Sequence, residues 1–384
     1  MSVIRRAIFI VLAAAFAAGS LSSSASAETF VTGHITADTA WTLAGSPYVM
    51  TTSVTVDEGA TLTIEPGVEV QATSSASLNV LGVLRAVGTE TNRIIFEPSD
   101  DDWQGIRFGV SSSTRGTDTR SALEYTEVWD VHYTAITLTG MAPSISHNLF
   151  VGGVYALTTA NTAATLNVTD SVFAFNQVGV YGYGMTHVNL LRNDFWMNNS
   201  AIEASGAGSD RWELHQNDII GTPVVNYLAA SFSEESTIDA TDNWWGTTDS
   251  TYLQNHILDG EDDPNYAVVV WNPPATEANT LWAGHKAIPS LVLSKHLIAK
   301  GAVTSSDGYA GCQYGVRVLL QRRRDGRRGW DTLKSVTTTD AGTFRMPLPD
   351  RTGRYRASLP YSLTGPPSGS YCEGGFSSIL RHRH

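Results

Sequence analysis

The chain has 384 residues, 42% of them hydrophobic, and a net charge of −12 that conceals a break: from Ile288 onward 15 Lys+Arg face 6 Asp+Glu, so that part carries +9 and the rest is strongly acidic. Beyond the first residues nothing approaches about 18 consecutive apolar positions, so no later helix is expected to span a membrane. The basic part lacks interleaved aromatics, and with the export signal described next this argues against a nucleic-acid partner.

Residues 1–27 read as a signal peptide. Arg5 and Arg6 give a positive start, Ala7 to Ala18 is apolar, and Ala25-Ser26-Ala27 supplies the small-x-small cleavage pattern. The expectation is a secreted or cell-surface protein whose mature form begins at Glu28.

The next segment alternates in short apolar pairs: Val54 and Val56, Leu62 and Ile64, Val68 and Val70, then Leu78 and Val80, with Gly59 and Pro66-Gly67 as turns. Between Ser144 and Gly246 the pattern becomes a repeat. Ile145-x-x-Asn148-x-Phe150 is followed by Val168-x-x-Ser171-x-Phe173, Leu190-x-x-Asn193-x-Phe195, Leu214-x-x-Asn217-x-Ile219 and Ala240-x-x-Asn243-x-Trp245, at steps of 23, 22, 24 and 26 residues. A coil of this length cannot bury its own interior, but stacked coils can. Asparagine at one bend would then meet asparagine in the next coil, donating and accepting along the axis, with Ser171 able to do the same. Phe150, Phe173 and Phe195 would stack in the core. The fold class expected is all-β: a right-handed single-stranded parallel β-helix over residues 28–275, then a linker at 276–290 and a small β-sandwich at 291–384.

These residues also carry a resemblance. Trp41, Ser46-Pro47-Tyr48 and Val54-x-Val56-x-x-Gly59-x-x-Leu62-x-Ile64-x-Pro66-Gly67 resemble the first coils of bacterial exported β-helix proteins of the pectin-lyase-like superfamily. Trp103-x-Gly105-Ile106 is similar to their next coil. Asn243-Trp244-Trp245-Gly246, Ile257 to Asp263 and Trp271-Asn272-Pro273-Pro274 resemble their closing coils. The resemblance implies fold over roughly residues 30–275 and little about activity, because that superfamily holds lyases, hydrolases, adhesins and proteins without known catalysis.

The last segment changes character. Val316 to Gln321 alternates as a strand, Gly326 to Gly329 forms a turn before Trp330, and short strands follow around Val336, Phe344 and Tyr355. It resembles the small immunoglobulin-like modules appended to secreted actinobacterial-type proteins. Cys312 and Cys372, the two cysteines of the chain, are expected to form a disulfide after export, worth about 4 kcal/mol on a chain-entropy account.

Candidate site residues follow from strand alternation. If Ile106, Ile136, Leu157, Val180, Ile202 and Val225 point inward, then Arg107, Thr137, Thr158, Tyr181, Glu203 and Asn226 point outward as one strip, with Asp130, His132 and Tyr133 in the preceding loop. Such a strip suits a sugar chain. Val128-Trp129-Asp130-Val131-His132 invites comparison with the Val-Trp-x-Asp-His run of pectate lyases, but the intervening Val131 shifts the faces, and the lyase Arg-x-Pro-x-x-Arg motif is missing. Catalytic residues are therefore unassigned. The leading expectation is a carbohydrate- or cell-envelope-interacting scaffold; the alternative is a polysaccharide lyase or glycoside hydrolase. Asp100, Asp101 and Asp102 are a conceivable Ca²⁺ loop, but no EF-hand pattern and no histidine cluster at ligand spacing occurs, so no cofactor and no metal site is assigned. Arg322, Arg323, Arg324, Arg327 and Arg328 form a basic run suited to an anionic polymer. The oligomeric state is not legible.

Overall fold

The computed structural model describes residues 28–383, apart from 101, 110–119, 161–164, 184–186, 207–210, 221–225, 233–236, 265, 279–282, 295, 325–328, 360–361 and 365–369. Residues 1–27, read from the sequence as a signal peptide, and Arg327 and Arg328 lie outside the described residues.

Short strands separated by tight corners wind into a right-handed parallel β-helix. Each strand pairs in parallel with its copy one coil away, giving one sheet of 10 strands and one of 17. The register follows the repeat. Val168 pairs with Leu190 and Leu190 with Leu214 in the smaller sheet. Phe150, Phe173, Phe195 and Ile219 align in the larger one. So do Leu157, Val180, Ile202 and Leu228. The phenylalanines stack inside, with centroids 5.2 Å apart for Phe150–Phe173 and 4.8 Å for Phe173–Phe195.

The asparagine column is present and is bonded continuously. Thr126 N–H donates to Asn148 Oδ1, Asn148 N–H to Ser171 Oγ, Ser171 N–H to Asn193 Oδ1, Asn193 N–H to Asn217 Oδ1 and Asn217 N–H to Asn243 Oδ1, at 2.8–3.1 Å. The side-chain amides of Asn148, Asn193, Asn217 and Asn243 donate back to Leu123, Val168, Leu190 and Leu214 carbonyls. Each ladder residue follows one in the left-handed region: His147, Asp170, Arg192, Gln216 and Asp242 have φ between 52° and 60°. A non-glycine residue there costs about 1–2 kcal/mol, and the buried amide bonds of its neighbour offset that cost.

A second ladder, absent from the sequence reading, runs along another corner. Gly153 N–H donates to Asn176 Oδ1 and Asn176 N–H to Asn198 Oδ1, both at 3.0 Å. Phe175 and Met197, just before these asparagines, again have positive φ. Its sequence signal is Phe173-x-x-Asn176 followed by Phe195-x-x-Asn198, at the same 22-residue step.

Small residues are required where rings pack from the next strand column. A Cβ on Gly182 would stand 2.3 Å from the buried Trp212 ring. Gly182→Ala should therefore lower the unfolding free energy by about 1–3 kcal/mol through overpacking, read as a fall in thermal midpoint. A midpoint equal to that of the parent chain would show that Trp212 can move aside.

The C-terminal part is a small sandwich of largely antiparallel strands in sheets of six and five. Leu297, Val318, Leu320, Phe344, Tyr355 and Ala357 fill its core. Cys312 and Cys372 are joined in a disulfide across a sequence separation of 60, buried in that core.

Candidate functional site

The outer face of one strand column carries a groove of about 630 Å³. Alternation along Ile106–Phe108, Thr134–Thr139, Tyr155–Ala160 and Val178–Tyr183 sends Ile106, Ile136, Leu157 and Val180 inward. Their successors Arg107, Thr137, Thr158 and Tyr181 align outward by register, and Asn79 extends the row on one side. All five line the groove, with Gln104, Gly109, Tyr133, Thr134, Thr139, Tyr155 and Tyr183.

Four tyrosines form a connected aromatic wall. Tyr133 meets Tyr155 edge-on at 5.2 Å, Tyr155 tilts against Tyr181 at 5.2 Å, and Tyr181 stacks on Tyr183 at 5.7 Å. Tyr133 and Tyr183 keep much of their surface exposed, at 56% and 43%. The Tyr155 phenol is pushed up to about 12 by desolvation and by the neighbouring Tyr133 phenol, so it stays protonated as a donor. Gly105 is needed beneath: with φ at 76°, a Cβ there would stand 2.1 Å from the Thr134 carbonyl.

The residues singled out from sequence do not all converge. Arg107, Tyr133 and Tyr181 line the groove, as do Thr137 and Thr158. Glu203 continues the Tyr181 row one coil further on, half-buried, and desolvation raises its pKa. His132 is outside the lining and exposed, 2.7 Å from Asp102. Asp130 sits at a corner with φ of 45°. Its carboxyl oxygen crowds Gly152, and desolvation pushes its pKa up to about 6 although the residue as a whole is exposed; the crowding is local and the group keeps access to water.

Asn226 requires a correction. It pairs with Ser200, while Ala229 pairs with Glu203, so Ala229 takes the place in the row that alternation had assigned to Asn226. The register partner of Ile202 is Leu228, and Val225 lies outside the described residues. The reason is the step between these coils, which is longer here than the 22 residues separating Val180 from Ile202. Tyr155 and Tyr183 were not selected from sequence. Tyr183 was reachable as the next outward position after Tyr181, and Tyr155 as the residue before the small-aliphatic pair Ala156-Leu157.

A second concentration of polar chemistry is buried, not open. Asp194 and Asp218 are register partners on adjacent coils, each 1% exposed. They continue a row with Leu149 and Val172, part of a small apolar cluster flanked by Trp129, Phe175 and Trp196. One Asp194 carboxyl oxygen has no hydrogen-bond partner. Burial and the Asp218 charge raise the Asp194 pKa well above the ordinary aspartate value. Among the described residues no group of three His, Cys, Asp or Glu converges as metal ligands. No described helix is long and apolar enough to cross a membrane.

The basic run of the sandwich is divided by alternation. Arg322 lies in the register row of buried Tyr355 and donates to the Thr352 carbonyl. Arg323 lies on the opposite, outer face, over the Trp330 ring at 4.9 Å. Arg324 pairs with Asp331 at 3.5 Å. Among the described residues of the run, Arg322, Arg323 and Arg324 thus have different partners.

No protein-family model matches the chain. A stretch of 99 residues is 37% identical to Protein bark beetle of Drosophila melanogaster; the match takes in 23% of this chain and 3% of that protein's length. The chain thus corresponds to a small fraction of that relative.

Proposed function

We propose that the chain is a secreted or cell-surface glycan-binding scaffold, with a β-helix of the pectin-lyase-like kind, and that the tyrosine-walled groove holds the sugar chain. The observation that carries this is the lining itself: among the described residues it has four tyrosines, four threonines, Asn79, Gln104, Arg107 and Gly109, with no carboxylate and no histidine. Tyrosine rings pack against the C–H faces of pyranoses, while amide, hydroxyl and guanidinium groups bond their hydroxyls. Coils repeat every 4.7–4.9 Å or so along the axis, near the length of one pyranose ring, so a chain laid along the axis meets equivalent positions in successive coils. A hydrolase would need an acid and a base at the scissile bond, and the described lining residues include no carboxylate. The alternative, a polysaccharide-degrading enzyme, would draw on Glu203 just beyond Tyr181.

A glycan-array screen followed by calorimetry on the strongest ligand tests this. Tyr155→Ala and Tyr181→Ala should each weaken binding about tenfold, as expected for losing an aromatic contact of about 1–1.5 kcal/mol, with circular dichroism unchanged. Unaltered affinity in both variants would remove the groove from consideration. Newly formed chain ends in the parent reaction, abolished by Glu203→Gln, would establish turnover instead.

A further inference from the structure

We infer that the outer face of the five-stranded sheet in the C-terminal sandwich is a second binding site, for a polymer bearing repeated phosphate groups. It is built from Arg323, Arg354 and Arg356 around Trp330 and Phe376. These arginines come from two strands, Arg317–Arg323 and Gly353–Leu359, and meet through antiparallel register. Arg323 lies directly opposite Arg354, and Gln321 opposite Arg356. In the next strand Arg381 is opposite Arg354, so Arg323, Arg354 and Arg381 stand in one row across three strands.

Like charges directly opposite in a sheet are destabilising. Among the described residues none that register places beside them on this face is acidic: Thr332 pairs with Gln321 and Phe376 with Ser358. The fold nevertheless holds the guanidiniums in place. Arg356 is 4.3 Å from the Trp330 ring centre and 3.7 Å from that of Phe376, and its Nε donates to Gln321 Oε1 at 2.8 Å. Arg323 reaches the same Trp330 ring. Burial first, and the Arg323 charge second, lower the Arg356 pKa.

The donor set selects the anion. A phosphate within a chain and a carboxylate each have two outer oxygens, but the phosphate sets them tetrahedrally, out of the plane of any one guanidinium, so guanidiniums from two strands can each bond it from a different side. Adjacent strands are about 4.8 Å apart, which lets neighbouring arginines share one tetrahedral group. The two rings are engaged by guanidiniums, so the face recognises charge and does not offer stacking to sugars or bases.

The test is binding of the full chain to long-chain inorganic polyphosphate, with polygalacturonate as the carboxylate comparator, across a salt series. The parent should prefer polyphosphate. Arg323→Gln combined with Arg356→Gln should weaken binding at least tenfold and lower the salt slope by about two, with the groove's glycan affinity unchanged. Arg356→Lys keeps the charge but loses the planar fork, and should fall between. Three results would overturn the proposal: polygalacturonate binding as tightly as polyphosphate, the double variant binding like the parent, or the parent showing concentration-dependent self-association that the double variant abolishes. The last would assign the face to the acidic helix of a second copy.

Discussion

Asn217→Leu is expected to lower the free energy of unfolding by about 4 kcal/mol. The leucine fills similar space, so the loss is one of bonding. It leaves the Asn193 N–H and the Leu190 carbonyl without their partners, both inside a buried ladder. Each orphaned buried group costs about 1–3 kcal/mol. Asn217→Ser should be milder, because Ser171 already fills a rung: its Oγ accepts from Asn148 N–H and donates to the Thr169 carbonyl. Urea unfolding followed by circular dichroism would rank the three proteins. A leucine variant within about 1 kcal/mol of the parent would mean that the ladder follows from the stacking of the coils and contributes little to it.

The second large effect concerns acidity. The Asp194 carboxyl has its folded pKa raised by burial and by the adjacent Asp218 charge. Folding therefore takes up a proton in the window between the ordinary aspartate value of about 3.9 and the raised folded value. The stabilisation is fully present below that window and is lost as pH rises through the folded value, by up to about 1.4 kcal/mol per pH unit. Asp194→Asn removes the ionisable group and leaves an amide able to donate to Asp218. The variant should match the parent near pH 4, exceed it in stability at pH 7, and show a flatter dependence. Parallel pH–stability curves for the two proteins would refute the assignment.

These two sites differ in how far a reader of the sequence could have reached them. The first ladder is visible because Asn148, Asn193, Asn217 and Asn243 recur at near-constant steps beside aromatic or aliphatic residues. The second ladder obeys the same rule, but only two asparagines, Asn176 and Asn198, occupy it, and two points do not announce a column. The outward row through Arg107 and Tyr181 follows from alternation alone, and it failed at Asn226 where the coil step lengthened. Alternation also does not say which outward residues lie in a concavity, which is why Glu203 and His132 looked equivalent to Tyr133. In the sandwich the limitation is of another kind. Arg322, Arg323 and Arg324 are neighbours in sequence yet diverge in space, while Arg323 and Arg354 meet only through antiparallel pairing. That register is set by the turns and the shared core, and no local period encodes it.

The first ladder has a direction. Every rung accepts at its side-chain oxygen from the coil before it, and from Asn193 to Asn243 the amide dipoles add head to tail along the axis. Asn193 and Asn217 send their Nδ2 groups forward to the next rung, but Asn243 turns its own back to the Ala240 and Thr241 carbonyls. The segment beyond closes over it: Ala275 N–H donates to the Asn243 carbonyl, and Asp242 N–H to that of Pro273. The column is thus a polarised wire with a terminator. Its last amide is folded inward, and the row ends without presenting that donor to the coil of another molecule. Growth by duplication of a coil would have to occur upstream of Asn243, where each rung is interchangeable with the next, and would lengthen the groove in whole steps.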